Sequence, residues 1–200
     1  VTKDAETIRS RIPFKIHVVE NPTKGQNERS LIQEGEYGEH SLMTEITYED
    51  GVEVSREVIV NEVTREPVNE VIEVGIIPVK TIPGTNTTFL YSKVLTMSAT
   101  AYTLDPAECG GKEPGDPGYG ITKSGLPAEP GVIAVDPDVI PLFTRIYIET
   151  ADGSWVDYGM AIAADIGSAI QGMEVDLFMW DKSEALRWGR RNVRVYIIYD

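Results

Sequence analysis

The residues best suited to chemistry in this 200-residue sequence are two aspartates, Asp165 and Asp176, in the stretch AADIGSAIQGMEVDLF at residues 163–178. Small or apolar residues flank both of them. Such surroundings predict partial burial, which disfavours the charged form of a carboxyl group and raises its pKa. A carboxyl group that keeps its proton near neutral pH can act as a general acid. The stretch therefore indicates acid–base chemistry.

Each aspartate also has a simpler interpretation. Asp165 precedes Ile166-Gly167 and can bond its own backbone in a turn, and Asp136 before Pro137 can do no more than start a loop. Taken singly, each aspartate is better explained by such a turn than by chemistry. A functional interpretation needs several of them in a recognisable arrangement.

Composition limits what the chain can bind. With 42% hydrophobic and 8% aromatic residues it is typical of a soluble globular protein. No apolar run approaches the ~20 residues of a membrane helix. The formal net charge of -14 makes nucleic acid an unfavourable ligand. The sequence therefore predicts neither nucleic-acid binding nor membrane insertion.

Other reactive residue types are scarce. Both histidines, His17 and His40, lie in the first half, so a nitrogen-rich zinc site beside the aspartates is not expected. The single Cys109 excludes an intrachain disulfide and a thiolate metal cluster. A basic cluster near the C-terminus comprises Lys182, Arg187, Arg190, Arg191 and Arg194. Solvated surface charge is favoured for it over an anion-binding patch.

The first half of the sequence alternates with the period of β-strands over residues 12–75. In EITYEDGVEVSREVIV, two such segments flank Asp50-Gly51, a dipeptide suited to a tight hairpin turn. Because large apolar and aromatic residues are few, we expect residues 1–77 to form thin, exposed sheets with little core. Residues 78–92 contain two prolines and a polar run, which is typical of a linker.

Residues 93–200 form the second predicted domain. Six short apolar segments, beginning with SKVLTMSATAY and ending with NVRVYIIY, predict about six strands and suggest a small closed barrel. One helix is predicted in DKSEALRWGRR, with Asp181 as its cap and Gly189 at its end. The Gly- and Pro-rich segment 105–131 predicts a long loop that is either functional or disordered.

Two families resemble these halves. The first half carries five glycines in the pattern EGEYGE, YEDGVEVSREVI and EPVNEVIEVG, and residues 5–75 resemble the bacterial five-glycine cell-wall module. The glycines are Gly25, Gly35, Gly38, Gly51 and Gly75. The resemblance implies an extended, non-catalytic β module that adheres to peptidoglycan or to its N-acetylglucosamine.

The second half resembles the three-aspartate (3D) domain of peptidoglycan-active bacterial proteins. That family includes stationary-phase survival proteins, resuscitation-promoting-factor-like proteins and membrane-bound lytic transglycosylase A. Four blocks agree in order and spacing: TAYT at 100–103, GVIAVDPDVIPLFTRIYIE at 131–149, AADIGSAIQGMEVDLF at 163–178 and SEALRWGRRNVRVYII at 183–198. The implied fold class is mostly β, an extended sheet module followed by a small six-stranded double-psi β-barrel with one short helix.

The resemblance places the three naming aspartates at Asp136, Asp165 and Asp176, and it matches Asp176 to the catalytic aspartate of lytic transglycosylase A. Three aspartates with matching flanks outweigh the turn interpretation of each one alone. Hydrolysis of a glycan normally uses two carboxyl groups, whereas lytic transglycosylation needs one that first gives and then accepts a proton. We therefore expect Asp176 to be the general acid and base. Asp136 and Asp165 are expected to raise its pKa by like-charge repulsion and to hold sugar hydroxyls.

Further residues are expected to bind substrate or support the site. They are Tyr102, Thr103, Thr122, Ser124, Gly167 and Gly172. Tyr102 could stack on a sugar ring or be a core aromatic. Trp155 is interpreted as an exposed edge residue, and Trp180 and Trp188 as core residues. Phe143 stands where the family usually has glycine, so a different local turn is expected there.

Three rival interpretations stay open. Asp165-Ile166-Gly167-Ser168 also resembles the turn of aspartic proteases, which would require a symmetric dimer because the sequence holds one copy. Clustered carboxylates could hold a hard divalent ion, although no metal or other cofactor is expected. A non-catalytic peptidoglycan-binding protein is the strongest rival, because the sequence alone does not separate a weak enzyme from a lectin.

The expected protein is secreted and associated with the bacterial cell wall, and its partner is the peptidoglycan glycan strand. The abrupt, charged N-terminus lacks the regions of a signal peptide and suggests a trimmed piece of a longer precursor. The sequence leaves open whether the chain forms a homodimer and whether Cys109 pairs between chains.

Overall fold

The computed structural model describes residues 1–108 and 110–199. Cys109, and with it the question of whether this residue pairs between chains, lies outside the described residues. The chain divides into two compact units, Val1–Ile77 and Pro78–Asp200. Within the described part of the chain, no helix has the length and apolar character needed to cross a bilayer.

The first unit consists of two three-stranded sheets. Its strands are β1 (Thr2–Ile12), β2 (Ile16–Gly25), β3 (Arg29–Gln33), β4 (Gly38–Glu49), β5 (Val52–Arg65) and β6 (Glu70–Ile77). One sheet has the order β1-β4-β5 and is antiparallel throughout. In the other, β6 lies between a parallel β2 and an antiparallel β3. The predicted strand character of this half is confirmed.

The turn between β4 and β5 falls on the predicted dipeptide. Asp50 has a φ of 50° and Gly51 a φ of 82°, the positive values that a tight turn between right-twisted strands requires. Glu49 pairs directly with Val52, so the loop contains two residues. The Asp50-Gly51 signal therefore predicted the hairpin correctly.

The first unit has almost no hydrophobic core. Its buried residues are Gly25, Gly38, Thr44, Ile46, Gly75 and Ile77. Many of its large apolar side chains are exposed, among them Val18, Leu31 and Val54. The prediction of thin, exposed sheets is confirmed.

The second unit contains a closed ring of six strands. Its strands are β7 (Val79–Thr81), β8 (Thr88–Tyr102), β9 (Val132–Val135), β10 (Arg145–Thr150), β11 (Gly159–Asp165), β12 (Glu174–Phe178) and β13 (Arg191–Ile198). The order β12-β9-β11-β10-β13-β8 returns to its start through a parallel pairing of β12 with β8. The predicted closed arrangement of six strands is present, and β7 adds a short edge strand to β8.

Residues 78–92, which the composition suggested as a linker, contain a hairpin in the structure. Val79 pairs with Leu90 and Thr81 with Thr88, and the Ile82 N–H donates to the Thr87 carbonyl at 2.9 Å across the turn. Pro78 and Pro83 lie just outside the paired strand β7, where a missing N–H breaks no ladder bond. The prolines thus delimit an edge strand in a segment whose composition is typical of a connector.

The ring encloses an aliphatic core. Residues with essentially no exposure include Ile133, Val135, Ile146, Ile148, Val175, Leu177, Val193 and Val195. They alternate along their strands with residues on the opposite face, as a half-buried strand requires. Hydrophobic burial in this unit therefore fixes which face of each strand turns outward.

The helix α1 (Lys182–Trp188) forms where it was predicted. The Asp181 carboxylate accepts a hydrogen bond from the Glu184 N–H at 2.9 Å, which caps the N-terminus. Gly189, with a φ of 61°, ends the helix and donates its N–H to the Ala185 carbonyl at 3.1 Å.

Most of the basic cluster near the C-terminus is engaged in contacts within the protein. Lys182 pairs with Asp105, Arg190 with Glu174 and Arg194 with Glu149. The Arg191 guanidinium lies 4.7 Å from the Trp155 ring centroid and 4.4 Å from that of Trp188. These contacts favour a structural role for the cluster over an anion-binding patch.

Candidate active site

A cavity of about 280 Å³ lies against the face of β12 that turns away from the core. Its lining combines acidic side chains with many glycines and a few apolar residues. The lining residues are Tyr102, Leu104, Glu108, Gly110, Lys112, Gly118, Gly120, Ile121, Ala128, Ala134, Asp165, Ile166, Gly167 and Asp176. The two aspartates of the opening stretch are thus brought into one cavity.

Asp176 is positioned by the alternation of β12. Its neighbours Val175 and Leu177 are fully buried in the core, so the Asp176 side chain lies on the opposite face. In the sheet it stands between Thr100 of β8 and Ala134 of β9. The Thr100 hydroxyl donates to Asp176 Oδ1 at 2.7 Å, which orients the carboxyl group.

Burial raises the pKa of the Asp176 carboxyl group above its ordinary value. The hydrogen bond from Thr100 acts in the opposite direction, since it favours the charged form. The negative charges of Glu108 and Asp165 add to the rise, and the positive charge of Arg190 opposes it. The net upward direction is what a general acid needs near neutral pH.

Asp165 ends β11 and lines the same cavity. The pairing of β11 with β9 shifts register between Ala163 and Asp165, so the strict alternation is broken just before this residue. Asp165 Oδ1 accepts from the backbone N–H groups of Lys123 at 2.8 Å and Ile166 at 2.9 Å. The Tyr102 hydroxyl donates to Oδ2 at 3.3 Å. Asp165 therefore holds the loop that contains Lys123 and also lines the cavity.

Asp136 is not among the cavity-lining residues. Its carboxylate accepts from the Gly172 N–H at 2.6 Å and from the Asp138 N–H at 3.0 Å. The bond from Gly172 is the main reason that the pKa of Asp136 lies below its ordinary value. The main charges that act on the pKa of Asp176 do not include that of Asp136. Its geometry fits the turn interpretation.

The expected supporting residues fall into two groups. Tyr102 and Gly167 line the cavity, whereas Thr103, Thr122, Ser124 and Gly172 do not. Thr122 is buried, with its hydroxyl 3.1 Å from that of Ser124, and the Ser124 N–H donates to the Ala164 carbonyl at 3.0 Å. These two residues therefore shape the loop that holds Asp165.

Tyr102 has one edge in the cavity and packs against protein on the other. Its ring contacts Phe178 edge-on, with centroids 5.4 Å apart. Burial raises the pKa of the Tyr102 hydroxyl far above its ordinary value, so this group acts as a hydrogen-bond donor to Asp165. Tyr102 is therefore part of the packing and also of the cavity wall, and its stacking on a sugar ring stays a prediction.

The tryptophans only partly follow the predictions. Trp188 is buried, as predicted, and Trp155 packs against the core without being fully buried. Trp180 was predicted in the core and is 63% exposed, so that prediction is wrong. Trp180 follows the end of β12 and lies edge-on to Phe178 at 4.8 Å.

Phe143 keeps a glycine-like backbone. Its φ is 69°, and its N–H donates to the Ala163 carbonyl at 2.7 Å. The side chain is 56% exposed and so finds little packing to offset the strain of this conformation. A different local turn was expected at this position. Phe143 instead has the positive φ that glycine would adopt, and its Cβ atom makes this conformation sterically strained.

Glu108 was missed by sequence reasoning. It lies in the Gly- and Pro-rich loop and lines the cavity with Asp165 and Asp176. Its Oε2 accepts from both the backbone N–H and the hydroxyl of Thr103, each at 2.8 Å. Thr103 itself was among the expected supporting residues. No spacing signal distinguishes Glu108, because the loop around it has no regular period.

Among residues 1–108 and 110–199, no group of three or more His, Cys, Asp or Glu side chains is arranged to hold a metal ion. The acids of the cavity instead accept hydrogen bonds from hydroxyl and backbone N–H groups. The arrangement can give and accept a proton at Asp176, and it offers oxygen acceptors to the hydroxyl groups of a ligand.

Comparison with known families confirms both resemblances. Residues 3–76 match the G5 domain family, and residues 131–199 match the 3D domain family.

Two relatives come from Bacillus subtilis (strain 168). YabE, named as a cell wall shaping protein, is 43% identical over 108 residues, which are 53% of this chain and 23% of YabE. The cell wall-binding protein YocH is 41% identical over 111 residues, which are 54% of this chain and 33% of YocH. The chain thus spans about a quarter to a third of the length of these relatives.

Solved structures with local similarity match one or the other half. The G5 domain of IgA1 protease is 28% identical and covers 38% of this chain and 88% of its own, with a TM-score of 0.33. MltA from E. coli is 23% identical and covers 40% of this chain and 27% of its own, with a TM-score of 0.35. The lytic transglycosylase LtgG of Burkholderia pseudomallei is 28% identical over 40% of this chain and 26% of its own, with a TM-score of 0.34.

Proposed function

We propose that this chain, which combines a G5 domain with a 3D domain, is a peptidoglycan lytic transglycosylase of the bacterial cell wall. The observation that carries the proposal is the half-buried Asp176, whose pKa is raised by burial and which lines a cavity with a second aspartate. The names of YabE and YocH, which refer to cell wall shaping and binding, support the choice of substrate.

In the proposed reaction, Asp176 acts twice. Its carboxylic acid first gives a proton to the glycosidic oxygen between N-acetylmuramic acid and N-acetylglucosamine, and the bond from C1 to that oxygen breaks. The C6 hydroxyl of the muramic acid then bonds to C1 while its proton passes to the Asp176 carboxylate. The product is a 1,6-anhydro ring, no water is consumed, and the acid is restored.

Thr100 defines the geometry of this proton transfer. Its hydroxyl donates to Oδ1 of Asp176, which leaves Oδ2 to carry the mobile proton. Asp165 and Tyr102, which line the same cavity, are proposed to bind sugar hydroxyls. Asp136 is proposed to act indirectly, because it holds the Gly172 backbone of the segment that leads into β12.

We propose that residues 1–77 are a wall-adhesion module and that residues 93–200 carry the chemistry. The exposed sheets of the first unit offer a large surface with little core, which suits binding to an extended polymer. Secretion and attachment to the wall follow from the proposed substrate.

Product analysis tests the proposal. Purified peptidoglycan is digested with the protein, and the released muropeptides are measured by mass spectrometry. Transglycosylation gives products lighter by one water than those of hydrolysis. Asp176→Asn should reduce their release by roughly 10²-fold or more, since general acid catalysis contributes about that factor. Sedimentation of the variant with intact wall should stay nearly unchanged.

The second candidate function is non-catalytic binding of peptidoglycan, which the name of the cell wall-binding relative YocH favours. In that case both the parent protein and Asp176→Asn would sediment with the wall, and neither would release anhydro products. Equal release by the two proteins would show that Asp176 is not the acid.

A further inference from the structure

The segment Thr103–Glu108, which we call the strap, follows the end of β8 and contributes Leu104 and Glu108 to the lining of the cavity. It begins at Thr103, which is buried, and its Asp105 forms an ion pair with Lys182 of α1. The Glu108 N–H donates to the Asp105 carbonyl at 2.8 Å, which closes a tight turn. The strap is thus tied to regular elements of the ring unit at its start after β8 and, through Asp105, at α1.

This anchoring places the carboxylate of Glu108. Both donors of Thr103 contact the same oxygen, Oε2, at 2.8 Å. Two hydrogen bonds to one oxygen restrict a side chain that would otherwise move freely in an exposed loop. A charged group is therefore held in the wall of a cavity that already contains Asp165 and Asp176.

Three charged side chains, each from a different part of the chain, act on the Asp176 carboxyl group. Glu108 belongs to the strap, Asp165 to β11, and Arg190 to the segment after α1. Thr100 of β8 contributes a neutral donor. Tyr102 and Lys112 complete the titratable groups that line the cavity. Among the charged groups, Glu108 has a larger effect on the pKa of Asp176 than Arg190 or Asp165 has.

We infer that Glu108, held in the cavity wall by Thr103, is a positioning residue for the proton of Asp176. The inference rests on the proposed function for its biological meaning. Its physical content is a coupling between two carboxyl groups, which exists whether or not the chain cleaves glycan.

The sign of the coupling follows from electrostatics. A negative charge at Glu108 disfavours a second negative charge at Asp176, so it raises the pKa of Asp176. When the charge is removed, the pKa of Asp176 is expected to fall. A smaller fraction of the acid is then protonated at neutral pH, and the alkaline limb of the pH–rate profile moves to lower pH.

Glu108→Gln tests this coupling without opening the strap, because the amide oxygen can still accept both bonds from Thr103. Glu113→Gln is the matched control. Glu113 is an exposed acid of the same loop that does not line the cavity, and it undergoes the same loss of charge. The titration of the Asp176 carboxyl carbon is followed by NMR in the full chain without ligand. The pH profile of anhydro-product release is measured in parallel.

We expect Glu108→Gln to lower the midpoint of the Asp176 titration and to shift the alkaline limb to lower pH, while Glu113→Gln leaves both where they are in the parent. Thr103→Val should give a change of the same sign, because it removes one of the two anchors of the carboxylate. An unchanged midpoint in Glu108→Gln, or an equal change in Glu113→Gln, overturns the inference.

The two proposals fail in different ways. If the parent protein releases no anhydro product, the proposed function is wrong, but the NMR titration still tests the coupling. If anhydro product is released but the midpoint of the Asp176 titration is the same in Glu108→Gln as in the parent, the proposed function stands and the proposed role of Glu108 is wrong.

Discussion

The two units of this chain are both built from β-strands but are held together by different means. The second unit closes six strands around aliphatic side chains that have essentially no exposure. The first unit buries three glycines and three side chains, and it leaves many of its large apolar residues exposed. Hydrophobic burial therefore stabilises the ring, whereas the first unit depends on backbone hydrogen bonds and on close approach of its chains.

The glycines of the first unit mark those close approaches. A Cβ atom added at Gly75 would overlap the Gly25 carbonyl, and one added at Gly38 would lie 2.6 Å from the Arg65 carbonyl oxygen. In the first unit, neighbouring backbone atoms thus occupy the space that side chains fill in a hydrophobic core. The contrast also separates the proposed roles, since a closed ring can position a partly desolvated acid on its outer face, whereas an open sheet presents surface.

The largest difference should appear when a leucine is truncated in each unit. Leu177 is fully buried and Leu31 is 59% exposed. Leu177→Ala should destabilise the second unit by about 2–5 kcal/mol, since it removes buried methyl groups and leaves a cavity. Leu31→Ala should change the stability of the first unit by no more than about 0.5 kcal/mol.

The chain offers separate probes for this test. All three tryptophans lie in the second unit, so denaturant unfolding followed by tryptophan fluorescence reports on that unit. Amide hydrogen exchange of β2, β3 and β6 reports on the first unit. Equal losses of stability in the two variants would contradict the proposed difference in how the units are held together.

A smaller effect is expected from Gly75→Ala. The added methyl group would meet backbone, which cannot rotate away, so the β2–β6 pairing should weaken by about 1–3 kcal/mol, as overpacking typically costs. Gly51→Ala is the control in the same unit. Its Cβ would meet open space, and its cost should come from the positive φ alone, at about 1 kcal/mol.

Amide exchange distinguishes the two variants by position. Gly75→Ala should increase exchange along β2 and β6, whereas Gly51→Ala should affect only the ends of β4 and β5 next to the turn. Increased exchange confined to the hairpin in both variants would show that close backbone approach at Gly75 does not hold the sheet.

Sequence predicted the two units unequally well. The strands of the ring were predictable because buried and outward positions alternate, as in Val175, Asp176 and Leu177. The Asp50-Gly51 turn and the cap at Asp181 were predictable because each has a local chemical signature. The hairpin formed by β7 and the start of β8 was not predictable, because β7 has only three residues and lies between two prolines.

The residues of the candidate site were also only partly predictable from the sequence. Asp165 and Asp176 were predictable from their apolar flanks and from the resemblance, and the cavity brings them together. Glu108 was not predictable, because tertiary contacts with Thr103 place it and the loop has no periodic pattern. The outward position of Trp180 was missed for a related reason, since it depends on where β12 ends.

Asp176 and Asp136 should affect the stability of the second unit with opposite signs. The pKa of Asp176 is raised in the folded protein, so its favourable contribution is present below the unfolded pKa and is lost as the pH rises through the folded value. The pKa of Asp136 is lowered, so its contribution is present above the unfolded pKa and is lost as the pH falls through the folded value.

At neutral pH, Asp176→Asn should therefore raise the melting temperature of the second unit relative to the parent, and Asp136→Asn should lower it. Both differences should shrink in acid, where both carboxyl groups are protonated. Thermal unfolding followed by tryptophan fluorescence at neutral and acidic pH measures them. A loss of stability in Asp176→Asn at neutral pH would mean that the charged form of Asp176 is favoured by the fold, contrary to the role of a general acid.

The smallest effect should come from Phe143→Gly, because glycine adopts a positive φ without strain. Phe143 has a φ of 69° and is 56% exposed, so glycine should relieve backbone strain while losing little packing. After the greater flexibility of unfolded glycine is subtracted, the second unit should gain about 0.5–1 kcal/mol. Phe143→Ala is the control, because it removes the ring and keeps the Cβ atom that causes the strain. Equal tryptophan-fluorescence transitions for the Gly and Ala variants would show that the ring of Phe143, and not its backbone, determines stability at this turn.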